Sequence, residues 1–477
     1  MALLDIEHVV VLMLENRSFD CLVGKLYPAS AEFDGLPNGA SNDDLAGNPV
    51  PVWNSGNTDR ASMSIPDPDP GELFTDMNTQ LFGMAVVPDP SGAATMSGFV
   101  RNYLGQTAKS ASSYAANAVM HYYTPEQVPV ISALARGFAI CDRWHASAPC
   151  QTWPNRFFAH CATANGYENN DPPHPPYEMP TIFNRLEDAQ QPWKIYFHDI
   201  PQSLTLSQLW LHLDHFRFYA EFQHDARMGT LPAYSFIEPR YFPDLSLPND
   251  QHPPHVVTLG EQLIADVYNC VRGGPSWTKT LLVITYDEHG GCFDHVPPPV
   301  AVPPGGGAAG PFKFDRYGVR VPAVIVSPYI RAGTKFRPPP GKVCDHTSII
   351  ATLLKRFSLG DALTARDAAA PDFASVLVLP EPTNLGPEEL VALPFVATPV
   401  DIALAQTMPL NGVQKGLLQL AAHLPTTVAT GAFKPFISSF LDHLRAGAAG
   451  TNVDALQDVA GALGLIKGRL GNLFRSL

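Results

Sequence analysis

Two stretches of the chain combine a continuous apolar run with acidic residues at its end. Leu281–Thr285 is followed, one residue later, by the acid pair Asp287-Glu288 and two glycines, and Ile6–Leu14 leads directly into Glu15-Asn16. Apolar runs of this kind are typical of strands buried on both faces of a parallel sheet. An acid pair after a strand is also typical of an ordinary exposed strand end. Because open α/β sheets bind ligands at the carboxyl ends of their strands, two such ends favour a shared site.

The pattern predicts further elements between and after these strands. Thr124 at an N-cap, Pro125 at the first helical position and Gln127 predict a helix from about Pro125 to Arg136, ended by Gly137. Apolar spacing predicts a helix that begins near Val256. Additional strands are predicted at Phe138–Trp144, Trp193–Asp199, Pro232–Glu238 and Val319–Pro328. The fold class that follows is α/β, with a mostly parallel central sheet covered by helices on both faces.

Loop-rich and helical segments suggest the domain organisation. Residues 27–105 are rich in Asn, Asp, Gly, Pro and Ser, which favours a lid or a rim of the binding cleft. Residues 300–312 form a second flexible segment expected to border the site. We therefore expect an α/β domain over residues 1–395 and a helical C-terminal segment over residues 396–477.

The C-terminal segment contains three amphipathic patterns, which begin at Gly412, Phe433 and Asp454. Apolar faces at this spacing are usually packing surfaces. The alternative is peripheral contact with a lipid interface or a partner chain, because Lys467 and Arg469 make the last pattern basic.

Composition narrows the function classes. The chain has 477 residues, is 45% hydrophobic and can bury a large core, as expected of an enzyme. Its formal charge of -14 and pI near 5.5 argue against a nucleic-acid partner, which would favour a basic face. No stretch approaches the ~20 apolar residues of a transmembrane helix. The oligomeric state is not encoded in these features.

Cysteine usage and the N-terminus bear on the compartment. Seven cysteines without a CxxC spacing are typical of a reduced chain. The first residues lack a basic segment followed by a long apolar one, so we expect a cytoplasmic location without a secretory signal. Export by a route without a cleaved signal is the alternative.

A candidate nucleophile lies near the middle of the chain. Pro154 favours the start of a helix, which would put Thr152 and Asn155 at its N-terminus. Unpaired backbone N–H groups there favour a phosphate or a developing oxyanion, and a bound metal would activate the threonine hydroxyl. The alternative is an ordinary N-cap threonine. Cys150 is a second possible nucleophile, but its spacing assigns it no partner, so we expect it to be structural.

Histidines occur at other predicted element ends. His252 and His255 flank two prolines just before a predicted helix, a position suited to phosphate contact or proton transfer to a leaving oxygen. His198 lies near the end of a predicted strand. Asp345-His346 precedes another helix, where Asp345 is either an N-cap or, with His346, a metal or phosphate ligand.

Four ordered motifs together resemble one family. They are ENRSFD at Glu15–Asp20, TWPNR at Thr152–Arg156, DQHPPH at Asp250–His255 and DEHGGCFDHVPPP at Asp287–Pro299. The chain resembles the bacterial phosphoesterase family of phospholipases C and acid phosphatases, a branch of the alkaline phosphatase-like fold. The matched motifs extend over about three quarters of the chain, from the first strand to about Phe357.

The resemblance implies roles for individual residues. Glu15, Asn16, Asp287 and Glu288 resemble the ligands of a single metal ion, and Thr152 the nucleophile that also touches the metal. Asn155 resembles a phosphate contact, His252 the histidine that faces the transferring phosphoryl group, and His198 a further substrate-pocket histidine. His121 is the candidate for a phosphate-contacting histidine of the acid phosphatases, because residues 22–120 contain none. The expected supporting residues around these ligands are His289, Asp294, His295, Asp345 and His346.

These assignments imply a divalent cation and a phosphoester substrate. Oxygen ligands favour calcium, magnesium or manganese over zinc. The threonine nucleophile and the segment around His121 are more similar to the phospholipase C members, so we expect hydrolysis of phospholipid head-group phosphodiesters through a phosphothreonine. One alternative is a broad acid phosphatase acting on small phosphomonoesters. A catalytically silent phosphate-binding module is another, although the retained acids and hydroxyl argue against it.

Overall fold

The computed structural model describes residues 2–84, 92–107, 117–170, 177–243, 246–305 and 312–423. In these residues the strands are β1 His8–Leu14, β2 Ser41–Asp43, β3 Pro49–Pro51, β4 Ala139–Cys141, β5 Trp193–Phe197, β6 Phe216–Phe218, β7 Tyr234–Glu238, β8 Thr280–Tyr286, β9 Ala323–Val326 and β10 Thr334–Phe336. The α-helices are α1 Phe19–Leu22, α2 Phe74–Phe82, α3 Phe99–Thr107, α4 Pro129–Gly137, α5 Thr152–Cys161, α6 Ile182–Asp188, α7 Tyr219–Met228, α8 Val257–Gly273, α9 Thr347–Phe357, α10 Ala365–Ala369, α11 Pro399–Gln406 and α12 Gly412–His423. No α-helix in this part of the chain is long and apolar enough to cross a membrane.

The central sheet has eight strands in the order β10-β4-β9-β8-β1-β7-β5-β6. Strand β1 lies in its middle and pairs in parallel with both β7 and β8. Strand β9 runs antiparallel to β8 and β4, and the other pairings in this sheet are parallel. The predicted mostly parallel α/β fold is confirmed.

The register explains why two acidic segments meet. Leu14 is the last residue of β1 and lies opposite Tyr286, the last residue of β8. The residues that follow, Glu15 and Asp287, therefore leave the sheet side by side. Both strands are buried, because two groups of helices, α4 with α7 and α8, and α5 with α6 and α9, pack around the sheet.

Several predicted bounds were wrong. The helix expected from Pro125 begins only at Pro129, because the residue before a proline is pushed out of the helical region: Val128 has φ -122° and ψ 65°. Residues 124–127 instead form a turn, in which the Gln127 side chain accepts a hydrogen bond from the Thr124 N–H. The strand expected over Phe138–Trp144 contains only three residues, those of β4.

The strands predicted around residues 193, 232 and 319 are present with shorter bounds, as β5, β7 and β9. The helix after Cys344 is also present, as α9, but its N-cap is His346 and not Asp345.

The loop-rich segment over residues 27–105 contains regular structure. Strands β2 and β3 pair in an antiparallel hairpin, and helices α2 and α3 pack on each other around buried Phe99, Val100 and Tyr103. The segment also sends Asp69 and Glu72 toward the end of β1, as described below. Whether it moves as a lid stays a prediction.

The first C-terminal amphipathic pattern forms α12 and packs against the core. Val413, Leu417 and Leu420 are buried in the main hydrophobic cluster. A Cβ atom on Gly416 would lie 2.4 Å from the Trp153 ring, so only a glycine allows this approach of α12 to α5. The patterns that begin at Phe433 and Asp454 lie outside the described residues. The proposed boundary at residue 395 stays a prediction.

Candidate active site

The loop after β1 and the loop after β8 are joined by a hydrogen bond from backbone to side chain. The Asn16 N–H donates to Asp287 Oδ1 at 3.1 Å. Asn16 has φ 55°, a left-handed conformation that asparagine tolerates better than most residues. Gly290 lies so close that a Cβ atom there would meet the Asn16 carbonyl oxygen at 2.2 Å. The glycines after the acid pair therefore allow this close approach of the two loops.

The hydrogen bonds of Asn16 orient its side chain. Its Nδ2 donates to Glu72 Oε1 and to Glu288 Oε1, each at 2.7 Å. Because these partners are acceptors, the other end of the amide is the oxygen, and Oδ1 accepts from Thr152 Oγ1 at 3.3 Å. The nucleophile candidate and the ligand candidates are thus brought together.

Thr152 is the first residue of α5 and not its N-cap. The N-cap is Gln151, whose side chain makes no capping hydrogen bond. The Thr152 hydroxyl is therefore not used for capping, and it is fully buried beside Asn16. At the start of α5 the Trp153 N–H donates to Asn170 Oδ1 at 2.7 Å and Pro154 has no N–H, so the Thr152 N–H and the positive end of the helix dipole are what this helix offers an anion.

Asn155 holds the segment before α5 in place. Its Nδ2 donates to the carbonyl oxygens of Ala148, Cys150 and Gln151, and its Oδ1 accepts from the Ala148 N–H. These bonds position the loop that carries Thr152. Direct contact of Asn155 with a phosphate stays a prediction.

A buried arginine on α5 contacts the acidic residues that follow β1 and β8. Arg156 donates from Nε to Asp287 Oδ2 at 3.1 Å and from a terminal nitrogen to Glu15 Oε1 at 3.2 Å. It also donates to the carbonyl oxygen of Met13 at 3.2 Å. All three charged side chains are fully buried, so the guanidinium fixes the spacing of two ligand candidates.

The site contains more negative than positive charge. Glu15, Glu72, Asp287 and Glu288 are buried together, and Arg156 is the guanidinium that contacts two of them. Burial, reinforced by the charge of Asp287, raises the pKa of Glu15 well above its usual value; burial, with Glu72 and Asp287, does the same for Glu288. Glu15 Oε2 has no hydrogen-bond partner within the described residues. An acidic, oxygen-rich site with an unpaired carboxylate oxygen fits a divalent cation.

His252 lies beside two acids of the loop-rich segment. Its Nε2 is 3.3 Å from Glu72 Oε1 and its Nδ1 is 3.7 Å from Asp69 Oδ1. Burial alone would lower its pKa, but Glu72 and Asp69 raise the pKa of His252 well above its usual value. The imidazole is therefore held in its charged form. Glu72 connects it to the ligand candidates, because the same carboxylate oxygen accepts from Asn16.

Two of the expected supporting histidines contact the acid pair. His289 has its Nδ1 3.3 Å from Glu288 Oε2 and its Nε2 2.7 Å from Gln80 Oε1. His346 accepts from Trp144 Nε1 at Nδ1, which leaves the proton on Nε2 to be donated to the Asp287 carbonyl oxygen at 2.6 Å.

Asp294, His295 and Asp345, the other expected supporting residues, contact residues around the ligand candidates. Asp294 pairs with Arg320 at 3.0 Å, and Arg320 in turn pairs with Asp20. His295 donates to Asp20 at 2.6 Å and lies 3.4 Å from Asp34. This network holds the end of the ENRSFD segment.

Asp345 contacts Thr347 and Arg366 at the start of α9. Burial raises the pKa of its carboxyl group. These contacts support the loop that carries His346.

His198 and His121 have partners outside this group. His198 Nδ1 bonds the Glu238 carbonyl oxygen and its ring stacks on Tyr219, and burial lowers its pKa to about 4. His121 accepts from the Ser55 N–H and packs between Trp53 and Tyr123, and burial lowers its pKa to about 3. Their assignment to substrate binding stays a prediction.

Cys150 is buried, which raises the pKa of its thiol well above the usual value. Such a thiol is a poor nucleophile. This agrees with the structural role expected for it.

Two residues of the site were missed in the sequence. Glu72 ends a proline-rich stretch whose surroundings predict only a loop, and no local signal marks it as a site residue. Arg156, the last residue of the TWPNR motif, has no role that the sequence predicts. It is the one Lys, Arg, Asp or Glu residue of the helix TWPNRFFAHC, and that is the signal by which it could have been found.

Comparison with known proteins gives the family. The phosphoesterase family model matches residues 6–360. Non-specific phospholipase C3 of Arabidopsis thaliana is 37% identical over 444 residues, which cover 88% of this chain and 82% of that protein. Non-specific phospholipase C5 of the same plant is 39% identical over 407 residues, covering 81% and 76%. Phospholipase C A of Mycobacterium tuberculosis is 29% identical over 440 residues, covering 80% and 79%.

Among solved structures, the crystal structure of Ps i-CgsB covers 53% of this chain and 70% of its own at 11% identity, with a TM-score of 0.35, which is too low to support any argument. The expected restriction to bacteria is not supported, because plant proteins are among the relatives. The chain belongs to the phosphoesterase family, hydrolases that act on phosphoric ester bonds.

Proposed function

We propose that this phosphoesterase is a phospholipase C-type phosphodiesterase that cleaves phospholipids through a phosphothreonine at Thr152. One observation carries the proposal: a buried hydroxyl at the N-terminus of α5 donates to Asn16 within a group of four carboxylates. Its relatives from a plant and a mycobacterium carry the name phospholipase C. A phospholipid substrate implies contact with a lipid surface during turnover.

The residues that would hold a divalent cation are Glu15, Asn16, Asp287, Glu288 and Thr152. When bound, the cation would neutralise phosphate charge and lower the pKa of the Thr152 hydroxyl. Oxygen donors favour calcium, magnesium or manganese. The excess of buried carboxylates supports this part of the proposal, because burial and the neighbouring acids raise the pKa of Glu15 and of Glu288, and a bound cation would offset this crowding of negative charge.

In the first step, Thr152 Oγ attacks phosphorus. The Thr152 hydroxyl releases its proton to solvent, the Oγ–P bond forms and the bond from phosphorus to the glycerol oxygen breaks. The Thr152 N–H and the positive end of the α5 helix dipole stabilise the phosphoryl oxygens. His252, held charged by Glu72 and Asp69, donates a proton to the leaving glycerol oxygen, and diacylglycerol departs.

In the second step, water replaces the glycerol. The now neutral His252 accepts a proton from the water, whose oxygen attacks phosphorus on the side opposite Oγ. The Oγ–P bond breaks, Thr152 Oγ takes up a proton from solvent, and the phosphorylated head group leaves. During both steps His252 Nδ1 stays on the Pro253 carbonyl oxygen at 2.6 Å, and Nε2, which lies 3.3 Å from Glu72 Oε1, is the nitrogen that gives and takes the proton.

The main alternative is an acid phosphatase acting on phosphomonoesters. The two functions are separated by comparing kcat/KM for para-nitrophenyl phosphorylcholine with that for para-nitrophenyl phosphate. We expect the diester to be preferred. A strong preference for the monoester would refute the phospholipase C assignment while leaving the site chemistry intact.

The nucleophile is tested by substitution. Thr152→Ala is expected to abolish turnover with the fold retained, and Thr152→Ser, which keeps a hydroxyl, is the matched control expected to keep activity. Brief reaction with phosphate-labelled substrate followed by acid quench should trap label on the wild type and not on Thr152→Ala. Near-normal turnover in Thr152→Ala would rule out this residue as the nucleophile.

Metal dependence is tested separately. Removal of divalent ions with a chelator is expected to abolish turnover, and calcium, magnesium or manganese should restore it. Asp287→Asn should weaken binding of the restoring ion. Full activity of protein shown by elemental analysis to be metal-free would contradict the metal assignment without affecting the Thr152 test.

A further inference from the structure

A group of two histidines and a glutamate lies at the end of the sheet opposite the active site. It surrounds Trp193, the first residue of β5, which pairs with Tyr234 of β7, and Tyr234 pairs with Val9 of β1. Val9 precedes Glu15 by six residues, which corresponds to about 20 Å along a strand. The group is therefore separate from the proposed catalytic site.

The histidines are His212 and His215, three residues apart across the 3-10 turn Leu213–His215. In a 3-10 helix, side chains at this spacing lie on the same side of the turn. Glu187 reaches the same point from the end of α6. One ligand atom from each of the three residues lies within 4.8 Å of the others, and His215 Nε2 is 3.9 Å from Glu187 Oε2.

Trp193 orients two of these three side chains. His215 Nδ1 donates to the Trp193 carbonyl oxygen at 2.8 Å, so the proton is on Nδ1 and Nε2 presents its lone pair toward Glu187. The indole Nε1 of Trp193 donates to Glu187 Oε2 at 3.0 Å, and the His215 ring stacks on the indole at 4.1 Å between centroids. A histidine that donates one ring N–H to a backbone carbonyl, with its other nitrogen free, is the arrangement found around metal-bound histidines.

A fourth oxygen is available at this position. Asp214 lies between the two histidines in sequence, and its Oδ2 is 3.9 Å from His215 Nε2. Its side chain is 78% exposed and free to turn. Two imidazoles with one or two carboxylates form a ligand set of borderline softness, which suits zinc and not calcium or magnesium.

We propose that His212, His215 and Glu187 form a second metal site, for a zinc-class divalent ion, with Asp214 or water as the fourth ligand. The ion would join the end of α6 to the turn that leads into the edge strand β6. Its chemistry differs from that of the all-oxygen catalytic site, so the two sites are selective for different ions. The role of the ion is structural, since Trp193 begins a strand and lies far from Thr152.

The test measures zinc binding by isothermal titration of the full chain, stripped of metal and then kept in excess magnesium. His212→Ala is the main variant, because it leaves the contacts of His215 with Trp193 intact. His224→Ala, at an exposed histidine on α7, is the matched control. Cobalt, which gives visible absorption when bound by imidazole in a four-coordinate site, serves as a spectroscopic probe in the same proteins.

We expect the wild type and His224→Ala to bind one zinc equivalent that His212→Ala binds at least about tenfold more weakly. Glu187→Gln should also weaken it, and the cobalt absorption should disappear in His212→Ala. Turnover in magnesium should be unchanged in His212→Ala. Equal zinc stoichiometry and affinity in wild type and His212→Ala would overturn the proposal, and so would cobalt spectra that do not differ between them.

Discussion

Replacing Arg156 is expected to destabilise the protein more than any exposed substitution. The guanidinium is fully buried and donates to Asp287 at 3.1 Å, to Glu15 at 3.2 Å and to the Met13 carbonyl oxygen at 3.2 Å. Arg156→Met keeps most of the side-chain volume but removes all of these donors. Two buried carboxylates are then left without their counter-charge.

Breaking a buried ion pair by removing one partner costs about 3–5 kcal/mol, and each further unpaired buried acceptor costs about 1–3 kcal/mol. We therefore expect the free energy of unfolding to fall by about 4 kcal/mol in the presence of a chelator. This is a large share of the roughly 5–15 kcal/mol that stabilises a typical domain. Arg156→Lys keeps the charge but cannot donate to both carboxylates in the geometry of a guanidinium. We therefore expect it to lower the free energy of unfolding, but by less than Arg156→Met does.

The assay is urea-induced unfolding followed by circular dichroism, with and without excess magnesium. Burial and the charge of Asp287 raise the pKa of Glu15, so the folded state of the variant retains protons that the unfolded state releases. Stability that depends on such protons is lost as pH rises, so Arg156→Met should be less destabilised at about pH 5 than at about pH 8. Magnesium should reduce the loss if it binds these acids. A change below about 1 kcal/mol in chelator would refute the reasoning.

Two further predictions concern the surroundings of the site. Burial lowers the pKa of His295, but hydrogen bonds to the carboxylates of Asp20 and Asp34 outweigh it and raise the pKa from 6.5 to about 9. The charged imidazole therefore stabilises the folded protein fully below pH 6.5, and this contribution is lost as pH rises through about 9. The shift corresponds to at most about 3 kcal/mol, and solvent screening at this partly exposed group reduces it. Thermal unfolding of His295→Gln should lack this pH dependence, and an unchanged slope would contradict the prediction. Gly416→Ala would normally stabilise a helix by up to about 1 kcal/mol, but the new Cβ would meet Trp153 at 2.4 Å, so a loss of about 1–3 kcal/mol is expected; increased stability would show that α12 does not pack there.

Local pattern was enough for the elements that carry the ligand candidates. Both β1 and β8 are continuous apolar runs, and their burial on two faces is what such runs imply. The acids at their carboxyl ends could be assigned to one site because parallel neighbours end at the same edge. The start of α4 was misplaced because the effect of Pro129 on Val128 outweighed the capping signal at Thr124.

Long-range contacts decided the rest of the site. Glu72 is separated from Asn16 by 56 residues, and nothing in its proline-rich stretch predicts a contact between them. The Asn16 side-chain amide nevertheless donates to both Glu72 and Glu288. Arg156 likewise has no local feature that predicts contact with both Glu15 and Asp287. Such partners depend on how distant loops pack, which periodicity does not record.

By itself, the amino-acid order determined the α/β class, the two acidic strand ends and the helix that begins at Thr152, since each depends on neighbouring residues and on backbone propensity. Only the tertiary structure decided that Asn16 turns its oxygen to Thr152, that Glu72 holds His252, and that His198 and His121 have other partners. The physical reason is that orientation and charge state in a buried site are set by the full group of donors, acceptors and charges around each atom. In this chain those groups come from segments that lie between 40 and 272 residues apart in the sequence.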